Sequence, residues 1–217
     1  MSAMEQMTTK GKQIEQSSFA IIDLEIDRDH GGHTYTATQW AVVRRCIHTT
    51  GDFEFATLFK FSENATQCGI KAIQDGCKII TDVNMIVTGL APRRMEPFNV
   101  SAHCLISNDT VIEQAKNSGD TRARVAMQHA AKNGWLDGAI IAVGNAPTAL
   151  YEIIELCRQG KAKPALIIGL PVGFVKADES KACLVESGLP FIACEGRKGG
   201  SPLVVATLHA LMVEAAQ

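Results

Sequence analysis

One segment near the middle of the chain constrains the fold more than any other, because a wholly apolar run leads straight into a turn. Residues 139–143 are apolar at every position rather than at every second one, a pattern typical of a parallel strand covered by helices on both faces. Gly144 ends the run, and Asn145 and Pro147 are residue types that begin helices. The segment therefore predicts a strand, a tight loop and a helix that continues to Gly160.

Two further units of the same kind follow. An apolar run at 165–168 precedes a Gly/Pro loop and a helical pattern at about 178–187, and an apolar run at 191–194 precedes another glycine loop and the last helix. Three consecutive strand–loop–helix units predict an α/β fold with a mainly parallel sheet flanked by helices on both faces.

Composition supports this fold and excludes several classes of protein. With 46% hydrophobic and 20% charged residues, the 217-residue chain can bury one full core, so we expect a single domain over residues 1–217, with residues 1–13 as a flexible polar lead. The net charge of −2 gives no basic surface of the kind that nucleic-acid binding needs.

No run approaches the roughly 18 apolar residues of a membrane span, and the N-terminus is polar. We therefore expect a cytoplasmic protein with no nucleic-acid or membrane partner. The seven cysteines form no C-x-x-C pair and are expected to be free buried thiols.

The first half of the chain is less regular than the second. Residues 19–22 and Leu24 are apolar after a polar lead and predict a strand. Asp82 is expected to cap the helix that follows it. The remaining predicted elements are helices at about 37–47, 65–75, 109–118 and 121–133, and strands at about 77–81 and 100–106.

His48 is the first candidate catalytic residue. It follows the predicted helix 37–47 and, at about 100° per residue, projects between Arg44 and Arg45 at the edge of the apolar stripe. Neither arginine has an acidic residue four positions away on this helix, which favours an anionic ligand as their partner. The alternative is a helix-terminal histidine that bonds nearby carbonyls, beside two solvated arginines.

The glycine loops 144–148, 169–173 and 196–201 are the second candidate feature. Loops of this kind leave unpaired backbone N–H groups at a helix N-terminus, and those groups favour anions. Arg197 and Lys198 add two cations to the last loop. None of the loops reads G-x-G-x-x-G or G-x-x-x-x-G-K-[ST], so a dinucleotide or P-loop site is disfavoured. Each loop alone is also explained as an ordinary connection between a strand and a helix.

Two weaker candidates remain. Thr121 and Arg122 begin a helix with a cation just inside it, although an ordinary capped helix explains them equally well. His30 and His33, in the glycine turn 27–33, are metal-ligand residue types without a partner elsewhere in the sequence. We therefore interpret this turn as a surface loop and expect no metal site.

Taken in order along the chain, several segments resemble the precorrin-8X methylmutases (precorrin isomerases) of cobalamin biosynthesis. The segments are 18–22, 42–54, 81–85, 121–122, 142–150, 169–175 with 179–181, and 196–201. The similarity runs from about residue 14 to the C-terminus, and its motifs are far more specific than any single glycine loop.

The resemblance implies an isomerase that moves a methyl group from carbon 11 to carbon 12 of a contracted tetrapyrrole, giving hydrogenobyrinate or its cobalt form, cobyrinate. It places the family's general-acid histidine at His48. It implies substrate binding by Ser18, Arg45, Arg122, Asn145, Thr148 and Gly173. It also implies an α/β homodimer that needs no cofactor.

A polycarboxylate macrocycle suits the residue pattern, because carboxylates need arginines and helix N-termini while the flat ring needs an apolar wall such as Phe53, Phe55 or Phe174. A non-catalytic corrinoid carrier is a competing interpretation, although a carrier has no need of a titratable group at His48. An unrelated nucleotide-binding α/β protein is a third, and the missing nucleotide fingerprints argue against it. The segment 49–54 is more similar to the cobalt-bearing branch of the family.

Overall fold

Short apolar segments pair into a sheet of six strands in the computed structural model, which describes residues 8–217. The strands are β1 (Phe59–Phe61), β2 (Lys78–Thr81), β3 (Ser101–Cys104), β4 (Ile140–Val143), β5 (Leu166–Gly169) and β6 (Phe191–Cys194). Their order across the sheet is β1-β6-β5-β4-β2-β3. The pairings among β2 to β6 are parallel, and β1 pairs with β6 antiparallel. The predicted, mainly parallel sheet is confirmed.

Helices connect these strands and precede the first of them. They are α1 (Thr9–Asp29), α2 (Ala37–Thr50), α3 (Phe55–Leu58), α4 (Ala65–Gln74), α5 (Asn84–Gly89), α6 (Pro92–Met95), α7 (Asp109–Ser118), α8 (Arg122–Lys132), α9 (Pro147–Arg158), α10 (Ala177–Val185) and α11 (Ser201–Glu214). A 3-10 turn at Glu96–Phe98 follows α6. No helix in the described part of the chain is long and apolar enough to cross a membrane.

Both faces of the sheet are covered, as the continuous apolar strands predicted. Because successive side chains of a strand point to opposite faces, Ile140 and Ala142 of β4 pack into one core with residues of α1, α2, α4 and α11. Ile141 and Val143 pack into a second core with residues of α8, α9 and α10. The fold is a single α/β domain with helices on both faces of the sheet.

The predicted strand at 19–22 is wrong, because these residues lie inside α1. Four apolar residues are short enough to suit either element, but no glycine or proline interrupts residues 12–30. Ile22 and Ile26, four residues apart, are buried on the side of α1 that faces the core. The predicted polar lead is helical from Thr9 onward, and residues 1–7 lie outside the described part of the chain.

The predicted helix after residue 36 is confirmed, although it ends three residues later than expected. Thr36 and Gln39 form the capping box, with the Gln39 N–H donating to Thr36 Oγ1 at 3.3 Å and the Thr36 N–H donating to Gln39 Oε1 at 3.0 Å. The helix α2 continues to Thr50, and Gly51 ends it in a left-handed conformation with φ 68°. This longer helix places His48 in its last turn.

Candidate active site

The loops that follow β4 and β6 meet at the start of α11. Gly144 permits this approach, since a Cβ added to it would lie 2.9 Å from the Cα and the backbone nitrogen of Ser201. Ligands of open α/β sheets bind beyond the carboxyl ends of the strands. The motif at 144–148 follows β4 directly and therefore lies at the edge of the sheet where a ligand is expected.

A side chain of the protein itself occupies the amide groups of the β4–α9 loop. The buried carboxylate of Asp82 accepts hydrogen bonds from the N–H groups of Gly144 at 3.0 Å, Asn145 at 2.8 Å and Ala146 at 2.6 Å. Burial raises the pKa of Asp82, and the three amide donors act in the opposite direction. These N–H groups therefore do not offer the open anion site that the sequence predicted.

Asp82 also differs from its predicted role as a helix cap. The residue before α5 is Val83, and α5 has no side-chain cap. The Asp82 side chain instead reaches from the end of β2 to the neighbouring strand β4. Because β3 and β4 follow β2 on opposite sides of it, this is the point where the strand order reverses, a common ligand position in such folds.

Three of the predicted site residues gather where α1 packs against α2. The exposed ring of His48 meets the ring of Phe19 edge to face, with 5.4 Å between centroids. The guanidinium carbons of Arg44 and Arg45 lie 4.5 and 5.3 Å from the centroid of the same ring, within the range of cation–π attraction. Ser18 precedes Phe19, and its hydroxyl donates to a carbonyl of its own helix at 2.9 Å. Arg45 and His48 are thus neighbours around one aromatic side chain, and Ser18 is the residue that precedes it in α1.

Both arginines have acidic partners, which the sequence analysis did not predict. Arg44 Nη1 lies 2.6 Å from Asp23 Oδ2, and Arg45 Nη1 lies 3.0 Å from Glu15 Oε1. Both acids belong to α1, so the error follows from predicting a strand there. The expectation that the two arginines lack a protein partner is wrong.

Arg45 also borders a cleft between α2, α5 and α11. The cleft has a volume of 320 Å³ and is lined by Arg45, Thr49, Met85, Gly89, Ser201, Pro202, Val205, Ala206 and His209. Ser201, which lines the cleft, lies against Gly144 of the β4–α9 loop, so this end of the cleft adjoins that loop.

His209 is the histidine that lines this cleft. Its Nε2 accepts the N–H of Ala91 at 3.1 Å, so this ring nitrogen carries no proton. Burial, together with the charges of Arg94, Arg45 and Arg93, lowers the pKa of His209 to about 4. At neutral pH the ring is therefore uncharged and anchors the residue before α6.

Arg122, Asn145 and Thr148 form a second group at the carboxyl end of β4. The hydroxyls of Thr121 and Thr148 lie 2.8 Å apart and join the first turns of α8 and α9. Arg122 is exposed beside them, and the Asn145 side chain is exposed in the loop. Within residues 8–217, no hydrogen bond or ion pair joins this group to His48.

Gly173 belongs to the loop between β5 and α10. Its N–H donates to the carbonyl of Arg197 at 3.2 Å, which ties this loop to the one after β6. The Arg197 guanidinium lies 5.4 Å from the ring centroid of Phe174, whose side chain is 85% exposed. Phe174 is therefore available as an apolar wall for a flat ligand.

Lys198 is used inside the protein rather than left for a ligand. Its ammonium forms ion pairs with Asp52 and with Glu54, the latter at 2.6 Å, and so links the β6–α11 loop to the segment after α2. Phe55, another candidate for the apolar wall, is buried in the core. Lys198 is therefore less available to an anionic ligand than the sequence suggested, and the expectation that Phe55 offers an apolar wall is wrong.

The histidines of the 27–33 turn are exposed but packed against aromatic side chains. The His30 ring stacks on Phe53 with 4.8 Å between centroids, and the His33 ring stacks on Trp40 at 4.0 Å.

All seven cysteines are free; Cys46 and Cys194 are buried and the other five are half-buried.

Comparison with known proteins identifies the family. A family model of precorrin-8X methylmutase matches residues 13–214. The chain belongs to the precorrin-8X methylmutase family. It is 45% identical to cobalt-precorrin-8 methylmutase of Leptospira interrogans over 97% of this chain and 96% of that protein, and 44% identical to the Priestia megaterium protein of the same name over 95% and 89%. A crystal structure of precorrin-8X methylmutase from Thermus thermophilus superposes with a TM-score of 0.88 at 48% identity, covering 95% of this chain and 97% of that one.

Membership of this family decides between the classes left open by the sequence. The protein is an enzyme of cobalamin biosynthesis, an isomerase that moves a methyl group within its substrate. The interpretations as a carrier or as a nucleotide-binding protein are set aside.

Sequence reasoning missed several residues that shape the site. Asp82 was expected only as a helix cap, and Arg94 and His209 carried too little local signal, although a lone histidine in the apolar last helix is visible in the sequence. The aromatic role of Phe19 was hidden by the wrong strand prediction.

Proposed function

We propose that the enzyme moves a methyl group from carbon 11 to carbon 12 of precorrin-8X or cobalt-precorrin-8, with His48 as the general acid. The observation that carries this proposal is the position of His48, exposed in the last turn of α2 and beside Arg45, which lines the cleft. An exposed imidazole can reach a bound macrocycle without any rearrangement of the core.

The chemistry requires no net gain or loss of atoms. The His48 imidazolium donates a proton to a ring nitrogen of the macrocycle, which draws electron density from the bond to the migrating methyl group. The methyl group then forms a bond to carbon 12 as its bond to carbon 11 breaks, and the ring nitrogen returns the proton to His48. General-acid assistance of this kind contributes roughly 10² to 10⁴ in rate.

Substrate binding follows from the charges and surfaces around His48. Arg45 and Arg122 are proposed to bind peripheral carboxylates, because guanidinium groups form strong paired hydrogen bonds with them. Thr148 and the Asn145 amide are proposed to donate further hydrogen bonds, and the Ser18 hydroxyl is proposed to do so by exchanging its bond to the Ile14 carbonyl. Gly173 is proposed to bring the main chain of its loop close to the ring.

The two relatives described above are both named cobalt-precorrin-8 methylmutases, which favours a substrate that carries cobalt. Offering the metal-free and the cobalt-bound substrates in parallel checks this preference, and conversion of the metal-free form alone would contradict it.

We further propose that the enzyme is a homodimer. Ile14, Ile21 and Leu24 of α1 are 59%, 55% and 69% exposed and recur at helical spacing on one stripe, as expected of a surface that a second copy covers. A monomeric mass in light scattering would contradict this assembly.

We place the reaction in the cytoplasm. All seven cysteines are free thiols, which is typical of a reducing compartment. Cell fractionation with an antibody against the protein checks this location.

A single-turnover experiment tests the catalytic proposal. Enzyme in excess is mixed with each substrate, and the change in the visible spectrum is followed in the wild type and in His48→Ala. We expect the rate of methyl migration to fall by about a hundredfold or more in the variant, with the ligand dissociation constant within a few-fold of wild type.

His129 provides a matched control, because it lies in the last turn of α8 as His48 does in α2. His129→Ala should convert substrate at the wild-type rate. A His48→Ala enzyme of wild-type rate would remove the general acid from the mechanism, and an equal loss of binding and rate would make His48 an affinity residue.

A further inference from the structure

A guanidinium nitrogen near the cleft is buried without a hydrogen-bond partner. Arg94 Nη1 has no contact with solvent, and no atom of residues 8–217 accepts a hydrogen bond from it. An unpaired buried donor is costly, and more so when it carries charge. Natural structures keep such groups mainly where function compensates for the cost.

The surroundings of Arg94 add positive rather than negative charge. Burial lowers the pKa of Arg94, and the charges of Arg45 and Arg93 lower it further. Glu15 is the acid that acts against this, and its carboxylate is already paired with Arg45 at 3.0 Å. This group of three arginines therefore carries an excess of positive charge that an anion would neutralise.

The segment that carries Arg94 is attached to the cleft wall by an uncharged histidine. His209 lines the cleft and accepts the N–H of Ala91, the residue before α6. Pro92 fixes the first turn of α6, and Arg94 follows two residues later. Arg94 does not itself line the cleft, but its charge acts on His209 and the charge of Arg45 acts on it, so Arg94 lies close to two residues of the cleft wall.

We propose that Arg94, assisted by Arg93, forms a subsite for one peripheral carboxylate of the tetrapyrrole, bound next to the carboxylate that Arg45 receives. This subsite rests on the proposed function, because its ligand is the substrate of that reaction. A planar carboxylate fits the fork of a guanidinium in a paired geometry. The macrocycle carries several carboxylates on its rim, so more than one arginine site is required to orient it.

Affinity for the metal-free product, hydrogenobyrinate, tests the subsite. The wild type, Arg94→Gln and Arg158→Gln are titrated with it, and binding is followed by visible absorbance. Arg158 is a matched control because it is an exposed arginine at the end of α9, outside the cleft. We expect the dissociation constant to rise about tenfold in Arg94→Gln, as for the loss of one charged hydrogen-bonded contact, and to stay unchanged in Arg158→Gln.

Thermal unfolding without ligand separates this role from a structural one. Removing an unpaired buried charge should leave the melting temperature of Arg94→Gln unchanged or higher, whereas a structural arginine would lower it. An unchanged dissociation constant, or a melting temperature lowered together with affinity, would overturn the subsite.

Inorganic phosphate distinguishes a free anion from a carboxylate of the macrocycle. If millimolar phosphate stabilises the wild type but not Arg94→Gln, while both bind hydrogenobyrinate equally, the site binds a free anion and the proposal is overturned. If the wild type binds neither hydrogenobyrinate nor its cobalt form, cobyrinate, the proposed function fails, and the phosphate titration still reports whether Arg94 binds anions.

Discussion

Two regions of this protein are suited to anions, and they differ in whether the protein supplies the anion itself. In the β4–α9 loop, the buried Asp82 carboxylate accepts the N–H groups of three consecutive residues. Beside the cleft, Arg94 retains a buried nitrogen without a partner in the described chain. The loop has the more conspicuous sequence motif, yet its donors are satisfied internally. The comparison teaches that a motif indicates where donors lie, whereas the balance of donors and acceptors indicates where a ligand is needed.

Whether the donors are satisfied within the protein also determines whether a region contributes mainly to stability or mainly to ligand binding. A satisfied polar network in the interior holds strands together, so the Asp82 region should dominate folding. An unsatisfied cation near a cleft costs stability and becomes favourable only with ligand. Substitution of Asp82 should therefore lower the free energy of unfolding, whereas substitution of Arg94 should lower ligand affinity without lowering that free energy.

The largest effect is expected for Asp82→Asn. The amide presents an N–H₂ group to the three backbone donors and removes the charge that strengthened their hydrogen bonds, so the free energy of unfolding should fall by about 3 kcal/mol. Urea denaturation at neutral pH measures this change.

Asp137→Asn is the matched control, because exposed Asp137 accepts one backbone N–H, from Lys163 at 2.8 Å. It should lower the free energy of unfolding by less than about 1 kcal/mol. An equal decrease in the free energy of unfolding in the two variants would show that the Asp82 hydrogen bonds contribute no more to stability than an exposed one.

The next effect concerns the pH dependence conferred by His209. Its pKa is about 4 in the folded protein against 6.5 for the free side chain, so the unfolded chain binds a proton more readily. Stability contributed by the uncharged ring is complete above pH 6.5 and falls as the pH drops toward 4, by up to about 3 kcal/mol.

Urea denaturation at pH 7.5, 5.5 and 4.5 measures this dependence in the wild type and in His209→Gln, whose amide oxygen can still accept the Ala91 N–H. The variant should lose less stability on acidification. Parallel curves for the two proteins would mean that His209 is not the titrating group.

The smallest effect is expected for Glu15→Gln, which removes the carboxylate that forms an ion pair with Arg45. The ion pair is partly buried, with side-chain exposures of 14% for Arg45 and 23% for Glu15, so its loss should cost about 1 kcal/mol of unfolding free energy. The affinity for hydrogenobyrinate should rise a few-fold, because Arg45 then has no competing carboxylate.

Asp29→Asn serves as the comparison on the same helix, since Asp29 pairs with the exposed Arg28. It should change neither quantity measurably. Weaker ligand binding in Glu15→Gln would indicate that Glu15 positions Arg45 for the substrate instead of competing with it.

The second half of the fold was predictable from sequence because each strand there is wholly apolar and each helix is bounded by glycine. The strand pattern at 139–143 and the loop at Gly144 gave the parallel unit directly. The short run at 19–22 was predicted wrongly because β-branched and aromatic residues outweighed the longer helical period, which only the burial of Ile22 and Ile26 reveals.

The candidate site was predictable only in part, for a different reason. His48 and Arg45 share one helix, so their proximity follows from local geometry. Asp82 and Gly144 are 62 positions apart in the sequence, and their contact depends on which strands are neighbours in the sheet. A single sequence contains no local signal for such a pairing.

Phe19 has a consequence for how variants of this enzyme should be compared. One ring contacts the side chains of Arg44, Arg45 and His48, so substitutions at these positions share an environment and their effects should not add. The measured effect of a substitution at one of these positions will depend on which residues occupy the other two. Epistasis at the junction of α1 and α2 is therefore built into the packing around a single aromatic residue.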